Sequence, residues 1–252
     1  MKDIIDMAFW SDYYSNKDNL QKIASFCKYR EIVIIRKTKK KDYCTRPHKI
    51  FKPEHLEYWI DRLHLKETLF DIYRSNISIK LPPLPTRLDQ LKEIRPEIDR
   101  RYNDPKYITG ADYLIDIDAN SQDDEKQIIN WCKQIKRELV NKGQNPNHIE
   151  IWTTGSGGAH LNIPGKFDLD YVRNTTKDIA CKLGIPMRNP VKIINEKKHI
   201  PKNGEWILVK DEKKIKYPSK PHIDTGIWDR RRIKRVPFSL HSKYGISMKR
   251  ID

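Results

Sequence analysis

Hydrophobic positions in this chain follow two rhythms that take turns along its length. Leu20, Ile23, Ala24 and Cys27 recur at the spacing that lines one face of a helix. Arg30-Glu31-Ile32-Val33-Ile34-Ile35-Arg36 follows, a β-branched run that predicts a strand. Lys37 to Asp42 then reads as an exposed hairpin tip or loop. Helical spacing returns from Pro53, which suits a first helical turn, through Leu56, Trp59, Ile60 and Leu63. Residues 81–105 open on Leu-Pro-Pro-Leu-Pro, close on Asn-Asp-Pro and are rich in Pro, Arg and Glu. They predict a surface connector with one short helix at most.

From Ala111 the pattern tightens. Tyr113-Leu114-Ile115-Asp116-Ile117-Asp118 is an apolar run that ends in two acids. As a strand it sets Asp116 and Asp118 side by side on one face, with Ile115 and Ile117 on the other. Ser121 is placed to cap a helix with acids in its first turn. Ile128, Cys132, Ile135 and Leu139 form that helix's apolar face, and Lys142-Gly143 ends it. Alternation predicts strands over 148–154 and 159–163 around a glycine-rich turn, then a helix over 168–183 and a strand over 205–209. Strand, helix, hairpin, helix, strand implies an α+β (mixed α/β) chain, a sheet with helices packed on one face. We expect one body: an N-terminal α/β module over 1–80, a connector over 81–110 and a second module over 111–252.

Composition narrows the partners. Fifty Lys and Arg against 34 acids give a formal charge of +16, partly clustered at 36–41 and 230–235. Such a surface favours a polyanion such as nucleic acid, bound with a steep dependence on salt. No apolar run approaches membrane-spanning length and the N-terminus lacks a signal-peptide pattern. An intracellular protein with no membrane partner is therefore expected, cytoplasmic if prokaryotic. The four cysteines, Cys27, Cys44, Cys132 and Cys181, form no CxxC pair, which argues for reduced thiols and against a structural zinc. A mixed site on Cys44 and His48 is the weaker alternative.

The chemistry collects in three stretches. Two carboxylates as close as Asp116 and Asp118 repel unless a cation sits between them, and hard divalent ions such as Mg²⁺ or Mn²⁺ take such oxygen ligands. Thr154-Gly155-Ser156-Gly157-Gly158-Ala159-His160 sits between two strands, where glycines let backbone N–H groups approach a phosphate and Thr154, Ser156 and His160 could add donors. The plainer alternative is a glycine-bearing hairpin with a structural histidine. The C-terminal stretch holds Asp224, Asp229, a dense basic run, Arg235 and His241. A third carboxylate there would complete a two-metal site, with Arg235 and His241 holding phosphates.

In this order the stretches resemble the archaeo-eukaryotic primase superfamily, and within it the catalytic small subunit of replicative primase. Arg235-Val236-Pro237-Phe238-Ser239-Leu240-His241-Ser242-Lys243-Tyr244-Gly245 is similar to that subunit's (Arg/Lys)-x-Pro-x-Ser-(Leu/Val)-His-x-Lys-x-Gly signature, and Arg30-Glu31 matches its early strand. The resemblance implies a primase core with an RRM-like sheet, metal ligands at Asp116, Asp118 and Asp224, and nucleotide contacts from His160, Arg235 and His241. Asp229 competes with Asp224 as the third ligand. It further implies two Mg²⁺ or Mn²⁺ ions, a single-stranded DNA template, NTP or dNTP substrates and a primase large subunit as partner. The clustered cysteines of replicative members are missing, and Gly157 stands where primases often carry a basic residue. That turn looks partly like the Ser-Gly-Ser-Lys-Gly-x-His turn of the superfamily's end-joining polymerases. Primer synthesis is therefore the expected activity. Primer extension or gap filling by the same chemistry, or a non-catalytic nucleic-acid-binding subunit, are the alternatives. Because the chain ends soon after the last motif, a truncated core or half of a two-subunit enzyme is also expected.

Overall fold

The computed structural model describes residues 5–28, 30–47, 52–83, 93–188, 192–194, 197–202, 205–208, 221–228 and 233–251. His48, Asp229 and the basic residues 230–232 lie outside the described residues, as does the last position of the strand expected over 205–209.

The N-terminal part begins with α1 (Met7–Ser15) and α2 (Lys17–Ser25), where a single helical segment was expected. Asn16 divides them. Its extended backbone closes the first helix, and its side chain accepts from the Asp18 and Asn19 amides to start the second. Strand β1 (Ile32–Arg36) and β2 (Tyr43–Thr45) form the expected hairpin around the lysine-rich tip, and α3 (Pro53–Arg62) carries Pro53 in its first turn. Two strands that periodicity did not predict come next, β3 (Phe70–Ser75) and β4 (Ile77–Ile79). Asp71, Arg74, Ser75 and Asn76 interrupt their apolar pattern, yet all are buried, and Asp71 and Arg74 find their partners far along the chain. Among its described residues the connector holds one α-helix, α4 (Arg95–Asn103), and a 3-10 turn over Pro105–Tyr107.

Strand β5 (Ile108–Asp118) carries the two acids at its end. Ser121 heads a short 3-10 turn rather than the helix itself. It forms a capping box with Asp124, and α5 (Glu125–Asn141) follows with Ile128, Cys132, Ile135 and Leu139 buried. Strands β6 (Glu150–Thr153) and β7 (Ala159–Phe167) flank the glycine turn, and Asp168 caps α6 (Leu169–Leu183). The remaining strands are β8 (Lys192–Ile194), β9 (Lys197–Lys202), β10 (Glu205–Leu208), β11 (His222–Ile223), β12 (Ile233–Arg235) and β13 (Lys249–Arg250).

The architecture is α+β with antiparallel sheets. One sheet has the order β11-β5-β7-β6-β13, with β4 also on β5; another has the order β12-β3-β1-β2; a third joins β10, β9 and β8. Ile115, Ile117, Ala159 and Leu161 bury against Ile128, Ile135 and Leu139 of α5 and Val172 and Ile179 of α6. A second core gathers Trp10, Tyr14, Leu20, Ile32, Ile60 and Phe70. Val236 and Leu240 belong to this second core, so the chain after Asp224 crosses back to the N-terminal sheet. That return brings Arg235 to the Thr154 carbonyl, at the turn that leads into β7.

Candidate active site

Strand alternation puts Asp116 and Asp118 on one face of β5, as expected, with Ile115 and Ile117 in the core beneath. Strand β11 then brings in the third acid. His222 pairs with Asp118 and Ile223 with Ile117, and the Asp224 amide donates to the Asp116 carbonyl at 2.8 Å. Asp224 is buried, and its Oδ1 accepts from the Gly226 amide at 3.0 Å and lies 3.6 Å from an Arg188 guanidinium nitrogen.

On the other side of β5, β7 sets His160 opposite Asp116, with Nε2 3.3 Å from the carboxylate Oδ1. Ala159 and Leu161 point into the core, so His160 does face away from them. The histidine meets the first acid directly. The glycine turn has packing reasons of its own. Gly157 has φ +92°, and a Cβ there would come within 2.5 Å of the Ser121 carbonyl oxygen. A Cβ on Gly158 would meet the Ile117 carbonyl oxygen at 2.7 Å. The turn therefore lies tight against the exit of β5. Thr154 Oγ1 donates to the Gly158 carbonyl at 3.0 Å and sits 2.9 Å from the Ser156 hydroxyl.

The returning chain supplies the basic side. Arg235 is buried and donates to the Thr154 carbonyl, which joins the C-terminal motif to the glycine turn. Burial lowers its pKa, against the opposing pull of Asp71 and other acidic groups that include Asp116. His241 Nδ1 accepts the Lys243 amide at 3.0 Å, which leaves Nε2 to carry the proton of the neutral ring. Burial and Arg235 hold the His241 pKa down to about 4. Phe238 takes a left-handed φ of +64°, and the turn around it is tied down by the Tyr13 hydroxyl on its carbonyl and by the Leu240 amide on Tyr14.

Sequence reasoning missed three side chains that organise this cleft. Asp71 accepts from the Ser242 amide and hydroxyl at 2.9 and 2.6 Å and lies 4.0 Å from His241. Asp112, an even number of residues before Asp116 on β5, collects Arg30 at 2.5 Å, Arg74 at 3.0 Å and Lys234 at 3.2 Å. Lys234 is the third. It belongs to the basic cluster at 230–235 expected to meet a polyanion, yet Lys234 and Arg235 are buried, and the two-residue period that marks Asp116 and Asp118 also marks Asp112. Arg30-Glu31 gains a physical role as well. Arg30 reaches Asp112, while Glu31 holds Arg46, Arg95 and the Tyr102 hydroxyl.

Electrostatics set the acids apart from the rest of the surface. Burial raises the Asp118 pKa to about 6, with Asp116 and Asp224 adding repulsion and His222 and His160 opposing it. A carboxylate set under that strain suits a hard divalent cation. Among the described residues, no three His, Cys, Asp or Glu stand close enough to form a ready ligand cage. The acids would have to draw in around an ion. In metal-free protein, carboxyl carbon NMR should find Asp118 titrating near pH 6, and Asp116→Asn should lower that value. An Asp118 that titrates in the ordinary carboxylate range would contradict the geometry.

No family model and no curated protein matches the sequence. Among solved structures, the polymerase domain of Mycobacterium tuberculosis ligase D, in complex with DNA, is similar over 96% of this chain and 80% of its own, with a TM-score of 0.59 at 10% identity. The chain shares that domain's fold. The likeness is one of architecture, and the chemistry rests on the residues described above. No helix among the described residues is long and apolar enough to cross a membrane.

Proposed function

We propose that this protein is a template-dependent nucleotidyltransferase that makes primers on single-stranded DNA. The observation that carries the reading is the convergence of Asp116, Asp118 and Asp224 beside His160, with Arg235 reaching the same turn from the opposite sheet. Mg²⁺ or Mn²⁺ held by the three acids would supply charge neutralisation at the α-phosphate and lower the pKa of the attacking 3′-hydroxyl. Arg235 would hold the triphosphate, and neutral His241 would donate from Nε2. Asp71 would fix the turn that carries His241, through Ser242. Gly155, Ser156, Gly157, Gly158 and Thr154 would wall the nucleotide site next to His160. A primase large subunit remains the partner this reading implies.

The β1–β2 hairpin fits template binding. Arg36 and Lys41 lie over the exposed Tyr43 ring at 5.1 and 4.9 Å, an arrangement suited to phosphates with a base stacked alongside. Extension of an existing primer is the second reading, which the fold shared with a polymerase domain supports equally. Supplying single-stranded template with and without an annealed primer, in Mg²⁺ or Mn²⁺, separates the two. Primer synthesis predicts product without the primer. Product only with the primer supports the second reading, and no incorporation with either metal defeats both.

A further inference from the structure

We infer that Lys234 is a positioning residue: its buried ammonium holds the strand that carries Arg235 against the strands that carry Asp116 and His160. The inference rests on the nucleotidyl-transfer reading. Lys234 lies on β12 within the N-terminal sheet, paired with Arg74 of β3. Its ammonium crosses to the other sheet, 3.2 Å from Asp112 Oδ2 on β5 and 2.5 Å from Asn162 Oδ1 on β7. Asp112 precedes Asp116 by four residues and Asn162 follows His160 by two. Asn162, two residues from His160 and paired with Leu114, shares the face of His160 and Asp116. Asp112 sits where the β5–β7 register shifts and meets the same ammonium there.

The environment argues against a purely stabilising role. Asp112 gathers three cations, and Arg30, Arg74, Lys234 and Asp112 are all more than nine-tenths buried. Buried ion pairs of this kind add little net stability over apolar packing, and this one joins Lys234 of one sheet to Asp112 of the other. Burial lowers the Lys234 pKa to about 7, with Arg74 and Arg30 adding to the drop against the pull of Asp112. Two further buried donors, Arg74 Nε and Arg235 Nη1, have no hydrogen-bond partner among the described residues. Their side chains line one narrow cleft with Lys234, His160 and Asn162. The cleft is no larger than a water molecule, so the two sheets close tightly around the Lys234 ammonium.

The test titrates wild type, K234M, R235M and the double variant with ATP in Mn²⁺, reading the dissociation constant beside the melting temperature. K234M is expected to bind about tenfold more weakly while still melting cooperatively, and the double variant to bind no worse than R235M, because Lys234 acts through Arg235. Asn162→Leu separates position from charge. It releases the ammonium from β7 without removing it, and weaker binding is expected there too. Wild-type affinity in K234M or in N162L, or a double variant well below R235M, overturns the inference. Wild-type protein that binds ATP but incorporates no nucleotide fails the nucleotidyl-transfer reading instead.

Discussion

Asp116→Asn and Asp118→Asn should each cut nucleotide incorporation by about 1,000-fold or more and leave the protein folded. Without metal the variants should melt higher than wild type. The sign follows from Asp118, whose pKa is raised to about 6 by burial and by the neighbouring Asp116 and Asp224 charges. The folded state holds that proton more tightly than the unfolded one, so stability falls as pH rises from the ordinary carboxylate range through 6. At neutral pH the repulsion is fully present, and an amide removes part of it. Mn²⁺ should raise the melting temperature of wild type and do less for either variant. Thermal melts in EDTA and in Mn²⁺, run beside an incorporation assay, check both halves. Variants that keep activity, or that unfold in EDTA below wild type, would contradict the account.

Asp112→Ala carries the largest expected cost in stability. Truncating this carboxylate strands Arg30, Arg74 and Lys234 in the interior without their shared partner. Losing one side of a buried ion pair costs about 3–5 kcal/mol. Burial alone would raise the Asp112 pKa, but Lys234, Arg74 and Arg30 overcome it and hold the group at about 2. Its contribution is therefore complete above the ordinary carboxylate range and is lost as pH falls toward 2. Urea denaturation at neutral pH should show the loss, and wild type should shed the same contribution in acid. A loss below about 1 kcal/mol would mean that the knot is not what joins the sheets.

What the sequence disclosed was local. Apolar alternation located β5 and its two acids, and helical spacing located the buried face of α5. Asn16, a single polar cap, split the first helix, and periodicity is blind to a cap between two apolar stripes. The β3–β4 region escaped because Asp71, Arg74, Ser75 and Asn76 look like surface residues until their buried surroundings are known. The partners of the two charged ones lie far along the chain: Ser242 for Asp71, and Asp112 for Arg74. The glycine turn reads from sequence equally as a phosphate cradle or a structural hairpin, and the fold adds a packing reason for Gly157 and Gly158 in the backbone of 117–122. The return of β12 to the N-terminal sheet was invisible for a related cause, since three residues carry too little pattern to declare which sheet they join.

In the proposed function, Asp116, Asp118 and Asp224 hold the ions that serve nucleotidyl transfer. Crystals soaked with Mn²⁺ and a non-hydrolysable nucleoside triphosphate, measured at the manganese absorption edge, test it directly. Anomalous peaks are expected within ligating distance of these three carboxylates, with the triphosphate extending toward Arg235 and His241. A bound triphosphate with no manganese at the three acids would contradict it.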